Sequence, residues 1–190
     1  MSDLAGSLDR ALSTTADVID AIEPERWHDT SLCEQWSVRE LVEHLVGGCV
    51  LTGQVLQGED AHGRPTYEGT SDHELAVQFR QAGQAVLLVI EEPGALERTV
   101  RVGLGPVPGS VAAQLCLVET IVHGWDIAYS TGQDVAFDDA AVTEALEFSR
   151  AMMSQIPAER SPFKPSFPVA EDAPPLARLV GLLGRAPQGS

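Results

Sequence analysis

The fold is decided by the stretch Ser37-Val-Arg-Glu-Leu-Val-Glu-His-Leu-Val-Gly-Gly-Cys49, which combines a helix start with a helical apolar stripe. Ser37 and Glu40 have the spacing of a capping box, in which each side chain satisfies a backbone N–H of the first turn. Apolar residues then recur every three or four positions, which is the period of an amphipathic α-helix. The stripe consists of Val38, Leu41, Val42, Leu45, Val46 and Cys49. The stretch therefore predicts a helix that begins at Ser37 and buries one face.

Other stretches predict further helices on the same grounds. Ser71 and Glu74 form a second capping box in front of another apolar stripe. Because helices dominate and four of them are long enough to bundle, the predicted fold class is all-α, a helical bundle. The predicted helices cover, in order, residues 3–22, 37–56, 71–90, 110–132, 138–156 and 176–183.

A small extended connection is predicted between the third and fourth helices. Residues 97–102 alternate between polar and apolar side chains, which is typical of a short strand or an extended segment. Pro106 to Gly109 breaks this pattern, so we expect an irregular link from there to the next helix.

The composition is that of an ordinary globular protein. The chain has 190 residues, of which 44% are hydrophobic and 21% charged, so we expect residues 1–190 to form a single domain. No apolar stretch reaches the roughly 18 residues that span a bilayer. The acidic N-terminus lacks the basic region of a secretory signal, so a cytoplasmic location is expected.

The charge and the cysteines exclude several functions. The net charge is −16, with twelve Lys and Arg against twenty-eight Asp and Glu, which argues against a nucleic-acid or anionic-membrane surface. Cys33, Cys49 and Cys116 are odd in number and lack CxxC spacing, so no disulfide framework is expected. Cys49 and Cys116 lie in apolar helical runs, and we interpret them as small core residues.

Three residues have the types and spacing of a metal site. Glu119 and His123 are four residues apart on the fourth predicted helix, so they share one helix face. His44 lies on the flank of the second helix's apolar stripe. Together they would supply two imidazoles and one carboxylate and would leave one coordination position open, as in a catalytic zinc site.

The same three residue types are also compatible with a bundle that binds no metal. His44 could be a core histidine bonded to a backbone carbonyl, and Glu119 could form a local ion pair with His123. Asp126, three residues after His123, could orient a ligand or could be a solvated charge on the helix.

Three segments of the sequence resemble a known family. They are residues 33–48 (Cys-Glu-Gln-Trp-Ser-Val-Arg-Glu-Leu-Val-Glu-His-Leu-Val-Gly-Gly), residues 118–128 with Thr131-Gly132, and the closing segment 167–185. The first two are similar to the hallmarks of actinobacterial proteins related to mycothiol-dependent maleylpyruvate isomerase. Through that family the sequence resembles the broader DinB-like metal-binding superfamily.

The resemblance implies a fold and a metal. The implied fold is a DinB-like four-helix bundle with an extra short C-terminal helix. The implied metal is divalent, usually zinc and sometimes nickel. Carried over residue by residue, the family's metal ligands are His44, Glu119 and His123.

The resemblance also implies a chemistry. Enzymes of the family use a low-molecular-weight thiol, mycothiol in actinobacteria, for isomerisation or S-transfer. The expected function is therefore that of a thiol-dependent transferase or isomerase in which the metal activates the thiol. A small-molecule thiol, an electrophile and a second copy of the chain in a homodimer are the expected partners. The alternatives are a non-enzymatic metal-binding or interaction module and a metal-dependent hydrolase.

Overall fold

The computed structural model describes residues 3–33, 36–59, 63, 65–103, 105–155 and 165–186. Within these ranges the chain forms six α-helices, one short 3-10 turn and one β-hairpin. The helices are α1 (Leu4–Asp20), α2 (Val38–Gln57), α3 (Asp72–Ile90), α4 (Gly109–Thr131), α5 (Asp139–Met153) and α6 (Pro175–Leu182). The 3-10 turn is Pro24–Arg26, and the strands are β1 (Thr99–Val102) and β2 (Gly105–Pro108).

Both predicted capping boxes are present and start their helices. The Ser37 hydroxyl accepts from the backbone N–H of Glu40, and the Glu40 carboxylate accepts from the backbone N–H of Ser37 at 2.7 Å. Ser71 and Glu74 repeat this arrangement at the start of α3. Each box satisfies N–H groups that have no partner inside the helix, so the sequence places these two helix starts correctly.

The β-hairpin differs from the prediction. Residues 97–102 do contribute a strand, β1, but the segment expected to be irregular forms β2 and pairs with β1 in antiparallel register. Pro106 and Pro108 stand opposite Arg101 and Thr99. Because the two prolines occupy alternate positions, their missing N–H groups lie on the same, outer edge of β2, where no ladder hydrogen bond is required.

Helices α1 to α4 form the predicted bundle. α2 packs against α3 and α4, and α1 packs against α3 and α4, so α4 is covered from several sides. Its buried residues lie nearly all round the helix rather than on one stripe. α5 lies against α4 and α1, and α6 lies against α5. The largest fully buried side chains include Leu8, Leu41, Leu75, Phe79, Leu117 and Ile121.

Gly124 lies on α4 next to Thr15 of α1, and this position leaves no room for a side chain. A Cβ there would overlap Thr15 Oγ1 and would lie 2.9 Å from the ring of Phe137. We expect Gly124→Ala to lower the free energy of unfolding by about 1–3 kcal/mol, the usual cost of overpacking a core. Urea denaturation measures this loss.

Gly48 on α2 provides the matched control for that substitution, because a Cβ there would meet no atom within 4 Å. Gly48→Ala restricts the unfolded chain, so it is expected to leave the stability unchanged or to raise it by up to about 1 kcal/mol. Equal losses of stability in the two variants would show that overpacking at Gly124 is not the cause.

The end of the described chain returns to the bundle. After α6, the backbone N–H of Arg185 donates to the carbonyl of Val180 at 2.9 Å, which turns the chain back towards α4. Before α6, the N–H of Phe167 donates to the carbonyl of Gly181 at 2.8 Å. These contacts hold Arg185 next to α4. No helix in the described ranges is long and apolar enough to cross a membrane.

Candidate metal centre

The structure brings His44, Glu119 and His123 together between α2 and α4. Glu119 Oε2 lies 3.0 Å from His44 Nε2 and 3.2 Å from His123 Nε2. One potential ligand atom from each of the three residues lies within 4.8 Å of the other two. All three residues predicted as ligands therefore meet at one point.

Helix packing explains this meeting. The four-residue spacing of Glu119 and His123 places one above the other on the face of α4 that looks towards α2. His44 reaches the same point because Leu41 and Leu45, on either side of it, are buried against the bundle. The His123 side chain is 11% exposed and the Glu119 side chain 42%. The carboxylate is therefore the open side of the cluster.

Trp36 covers the two imidazoles from the loop before α2. Its ring centroid lies 4.5 Å from that of His44 and 6.5 Å from that of His123. An indole at this distance keeps water from one side of both rings and limits their rotation. Trp36 belongs to the first of the family's hallmark segments, but its contact with the imidazoles was not predicted from the sequence.

Asp126 contacts His123 at Nδ1, the ring nitrogen that does not face Glu119. Its Oδ2 lies 2.9 Å from His123 Nδ1, and its side chain is fully buried. A hydrogen bond from Nδ1–H to this carboxylate leaves Nε2 directed at Glu119. Asp126 is therefore not a solvated charge on the helix, which was one of the two roles that its position in the sequence allowed.

Arg185 supplies the positive partner that a buried carboxylate requires. Its Nη2 donates to Asp126 Oδ2 at 2.8 Å and its Nε to Oδ1 at 3.2 Å, a two-point contact. The thiol of Cys33 donates to the same Oδ2 at 3.6 Å. Arg185 was not predicted from the sequence, because no helical or strand spacing connects it to Asp126. Its signals in the sequence were its place at the end of the closing segment 167–185, which resembles the family, and its position as a cation just after an apolar helix of an acidic chain.

Each ionisable group of the cluster shifts the pKa of its neighbours so that its own charged form and theirs are favoured. Burial raises the pKa of Glu119, but hydrogen bonds from His123 and His44 outweigh it, and the pKa ends well below its usual value. Burial also raises the pKa of Asp126, and contacts with His123 and Arg185 lower it below its usual value. Burial lowers the pKa of His123, but hydrogen bonds with Asp126, Cys33 and Glu119 raise it well above its usual value. In the metal-free chain, the protonated imidazole ring of His123 therefore lies between two carboxylates, with Nδ1 facing Asp126 and Nε2 facing Glu119.

These residues fit a zinc-type ion. Zinc takes imidazole nitrogen and carboxylate oxygen at about 2.0–2.2 Å, so neighbouring ligand atoms of a tetrahedral site are about 3.3 Å apart. The carboxylate oxygen of Glu119 lies 3.0 and 3.2 Å from the two imidazole nitrogens. A carboxylate on the far nitrogen of a ligating histidine, as Asp126 is for His123, is the usual support of such a site.

A cavity of about 340 Å³ opens beside the cluster. Its walls come from α2, α4 and the hairpin residue Gly103, and they include His44 and Glu119. Its apolar surface includes Leu45 and Leu115. The volume falls within the range of pockets that hold small molecules, about 300–1,000 Å³.

Comparison with known families identifies the chain's relatives. Residues 8–128 match the family model described as the mycothiol maleylpyruvate isomerase N-terminal domain. The chain belongs to this family. The matched range includes His44, Glu119 and His123, so the whole cluster lies within the domain that defines the family.

Similar proteins include two from strains of Mycobacterium tuberculosis. Uncharacterized protein MT0763 and Uncharacterized protein Rv0738 are each 28% identical over 177 residues. The alignment covers 93% of this chain and 94% of each relative. The similarity therefore extends beyond the family domain into the part of the chain that follows residue 128.

Two solved structures have the same fold. Mycothiol-dependent maleylpyruvate isomerase superposes with a TM-score of 0.62 at 16% identity, and a histidine-to-alanine mutant of it with a TM-score of 0.64 at 15% identity. In both cases 81% of this chain and 70% of the other chain are covered. The predicted all-α DinB-like bundle and the predicted family are confirmed. The single domain over residues 1–190, the cytoplasmic location, the homodimer and the lack of nucleic-acid binding stay predictions.

Proposed function

We propose that this family member binds one divalent metal ion, zinc or nickel, through His44 Nε2, Glu119 and His123 Nε2. We further propose that it uses the ion with a low-molecular-weight thiol, mycothiol, in an S-transfer or isomerisation reaction. The observation that carries the proposal is the convergence of three ligand atoms beside an open cavity that His44 and Glu119 line. Family membership supplies the thiol as the expected cosubstrate.

The protein's own residues would hold and shield the ion. When bound, zinc supplies a thiolate at neutral pH, where a free thiol with a pKa of about 8.5 is mostly protonated. Trp36 packs against the imidazoles of His44 and His123, and Asp126 hydrogen-bonds to His123. Because His44 and Glu119 both line the cavity, a small molecule that enters it meets the cluster at these two residues.

The cavity would position the reacting molecules. Leu45 and Leu115 provide an apolar wall, and the hydroxyl-bearing Thr52 and Thr120 lie among the lining residues. Full ionisation of the thiol by itself raises the thiolate fraction at neutral pH by roughly thirtyfold, which corresponds to about 2 kcal/mol. Most of the rate acceleration must then come from holding thiolate and electrophile in line.

The half-exposed Glu119 carboxylate favours one second candidate, a metal-dependent hydrolase. In that case His44, Glu119 and His123 would hold the ion, which would supply an activated water to a substrate in the cavity. A purely structural, non-enzymatic metal site would be closed by four protein ligands, whereas here three converge beside an open cavity.

Metal and thiol binding test the proposal directly. Elemental mass spectrometry of the purified chain, before and after reconstitution with zinc or nickel, is expected to find about one ion per chain. Reconstitution with cobalt is then expected to give a sulfur-to-metal charge-transfer band when mycothiol is added, with glutathione as the comparison thiol. A chain that takes up no metal would refute the proposal. A bound cobalt ion whose spectrum no thiol changes would instead favour the hydrolase.

A further inference from the structure

A second cavity, of about 380 Å³, lies between the end of α4 and α6, and the proposed function does not use it. Trp125 and Tyr129 of α4 belong to its lining, so we call it the aromatic cavity. Leu176 and Val180 contribute from α6. The aromatic cavity shares no described residue with the metal cluster or with the cavity beside that cluster. A molecule bound in it therefore contacts neither the metal ligands nor the proposed thiol site.

The two aromatic residues lie where α4 opens to solvent. From Thr120 to Ala128 every residue of the helix is buried except Trp125. Trp125 comes two residues after His123, which places it about 200° further round a helix of 3.6 residues per turn. Tyr129, one turn after Trp125, is 37% exposed. The pair therefore lies on nearly the opposite side of α4 from the imidazole of His123.

The aromatic pair is arranged so that one ligand can contact both rings. The ring centroids are 5.3 Å apart and the ring planes are inclined by 44°. The face of an aromatic ring carries negative partial charge, which attracts a cation that lies within about 6 Å of the ring centroid. Because the two centroids are closer together than this reach, a single cation in the cavity can be attracted by both rings.

The polar groups of the aromatic cavity favour a positively charged ligand. Asp134 contributes an exposed carboxylate to the lining. The side-chain amide of Gln133 donates to the carbonyl of Val18 at 3.1 Å and to the hydroxyl of Thr131 at 2.9 Å, so its oxygen is the atom left to accept a hydrogen bond. No lysine or arginine is found among the described residues of the lining. The charge of the cavity therefore complements a cation.

Arg26 comes close to this end of α4, but other groups already bind its guanidinium. Its Nη1 would lie 3.9 Å from a Cβ at Gly132, a residue of the cavity lining. Its Nε donates to Asp29 at 2.7 Å, and its Nη2 donates to the carbonyl of Ser130 at 2.9 Å. Because its charge is paired with Asp29, Arg26 leaves the carboxylate of Asp134 available to a ligand.

We propose that the aromatic cavity binds an alkylated ammonium group of a small molecule. Trp125 and Tyr129 attract its positive charge, as aromatic residues do in the known sites for quaternary ammonium ligands. Asp134 supplies the counter-charge on the solvent side. Leu176 and Val180 contact the carbon groups of the ligand, which a hydrated metal ion or a bare ammonium ion lacks.

Choline and its uncharged isostere 3,3-dimethyl-1-butanol test the proposal, because they differ only in the charged nitrogen. Each is titrated into the full-length chain, with and without zinc, while NMR follows the indole N–H signal of Trp125. The signal is assigned by its loss in Trp125→Phe. Choline is expected to shift it and to bind roughly tenfold or more tightly than the isostere, because the rings attract only the cation. Zinc is expected to change neither affinity, so this result is separate from the test of the proposed function.

Two variants distinguish the contribution of the charge from that of the rings. Asp134→Asn is expected to weaken choline binding several-fold and to leave binding of the isostere unchanged. Asp9→Asn, which removes the same charge from an exposed position of α1, is the matched control. Tyr129→Leu keeps an apolar side chain and removes the ring, so it is expected to lower the preference for choline over the isostere.

Three results would overturn the proposal. Equal binding of choline and the isostere would show an apolar pocket with no preference for charge. Tighter binding of methyl glucoside, which also stacks on aromatic rings, would identify a sugar site instead. A Trp125 signal that choline does not shift would show that the cavity takes no ammonium group. The titrations of the wild-type chain decide all three, so the outcome does not depend on the stability of a variant, which circular dichroism checks separately.

Discussion

Substituting alanine for His44 or His123 is expected to abolish stoichiometric metal binding. Structural zinc sites with four ligands bind with about 10–16 kcal/mol, so the loss of one ligand is expected to weaken binding by roughly a hundredfold or more. Elemental mass spectrometry after dialysis against a chelator measures the retained ion. The same loss is expected for zinc and for nickel, because both would use the same three side chains.

Two further variants make this result specific. Glu119→Gln keeps the shape of the side chain and removes its charge, so it tests the third ligand with less disturbance of the fold. His73→Ala is the matched control, since His73 is exposed in the first turn of α3, away from the cluster. Retention of one ion per chain in both His44→Ala and His123→Ala would show that the ion lies elsewhere.

Replacing Asp126 with asparagine is expected to weaken metal binding by about 10–100-fold, the usual effect of removing the support behind a ligating histidine. The Asp126 carboxylate accepts hydrogen bonds from both His123 and Arg185. The amide of asparagine has only one acceptor oxygen and no negative charge, so it cannot replace both interactions. Because it also leaves the Arg185 guanidinium without its ionic partner, the variant is expected to lose about 3–5 kcal/mol of stability. Chelator competition and thermal unfolding measure the two effects.

Variants of Arg185 distinguish an effect on metal affinity from an effect on the stability of the fold. Arg185→Met leaves the hydrogen bond between Asp126 and His123 in place, so it is expected to reduce metal affinity less than Asp126→Asn does. Arg185→Lys is expected to fall between wild type and Arg185→Met, since lysine keeps the charge but not the two-point contact. Arg150→Met, at an exposed position of α5, is the control. If Asp126→Asn bound metal as tightly as the wild type, Asp126 would have no role in positioning His123.

Much of the fold was predictable because its determinants are close together in the chain. Ser37 with Glu40, and Ser71 with Glu74, form hydrogen bonds across three residues, so the starts of α2 and α3 follow from the sequence alone. The face shared by Glu119 and His123 follows from the pitch of one helix. Strand β2 was missed because its two prolines resemble a turn signal until the register with β1 shows where their backbone edges lie.

The sequence by itself thus determined the helices, their caps and the chemical types in the candidate site. It did not determine that His44 lies 3.0 Å from Glu119 across 75 residues of chain, or that Arg185 meets Asp126 across 59. Those contacts result from the packing of α2 against α4 and from the return of the chain after α6. Only the tertiary structure decided that Asp126 is buried and that a cavity adjoins the cluster, because burial and cavities depend on how separate elements pack together.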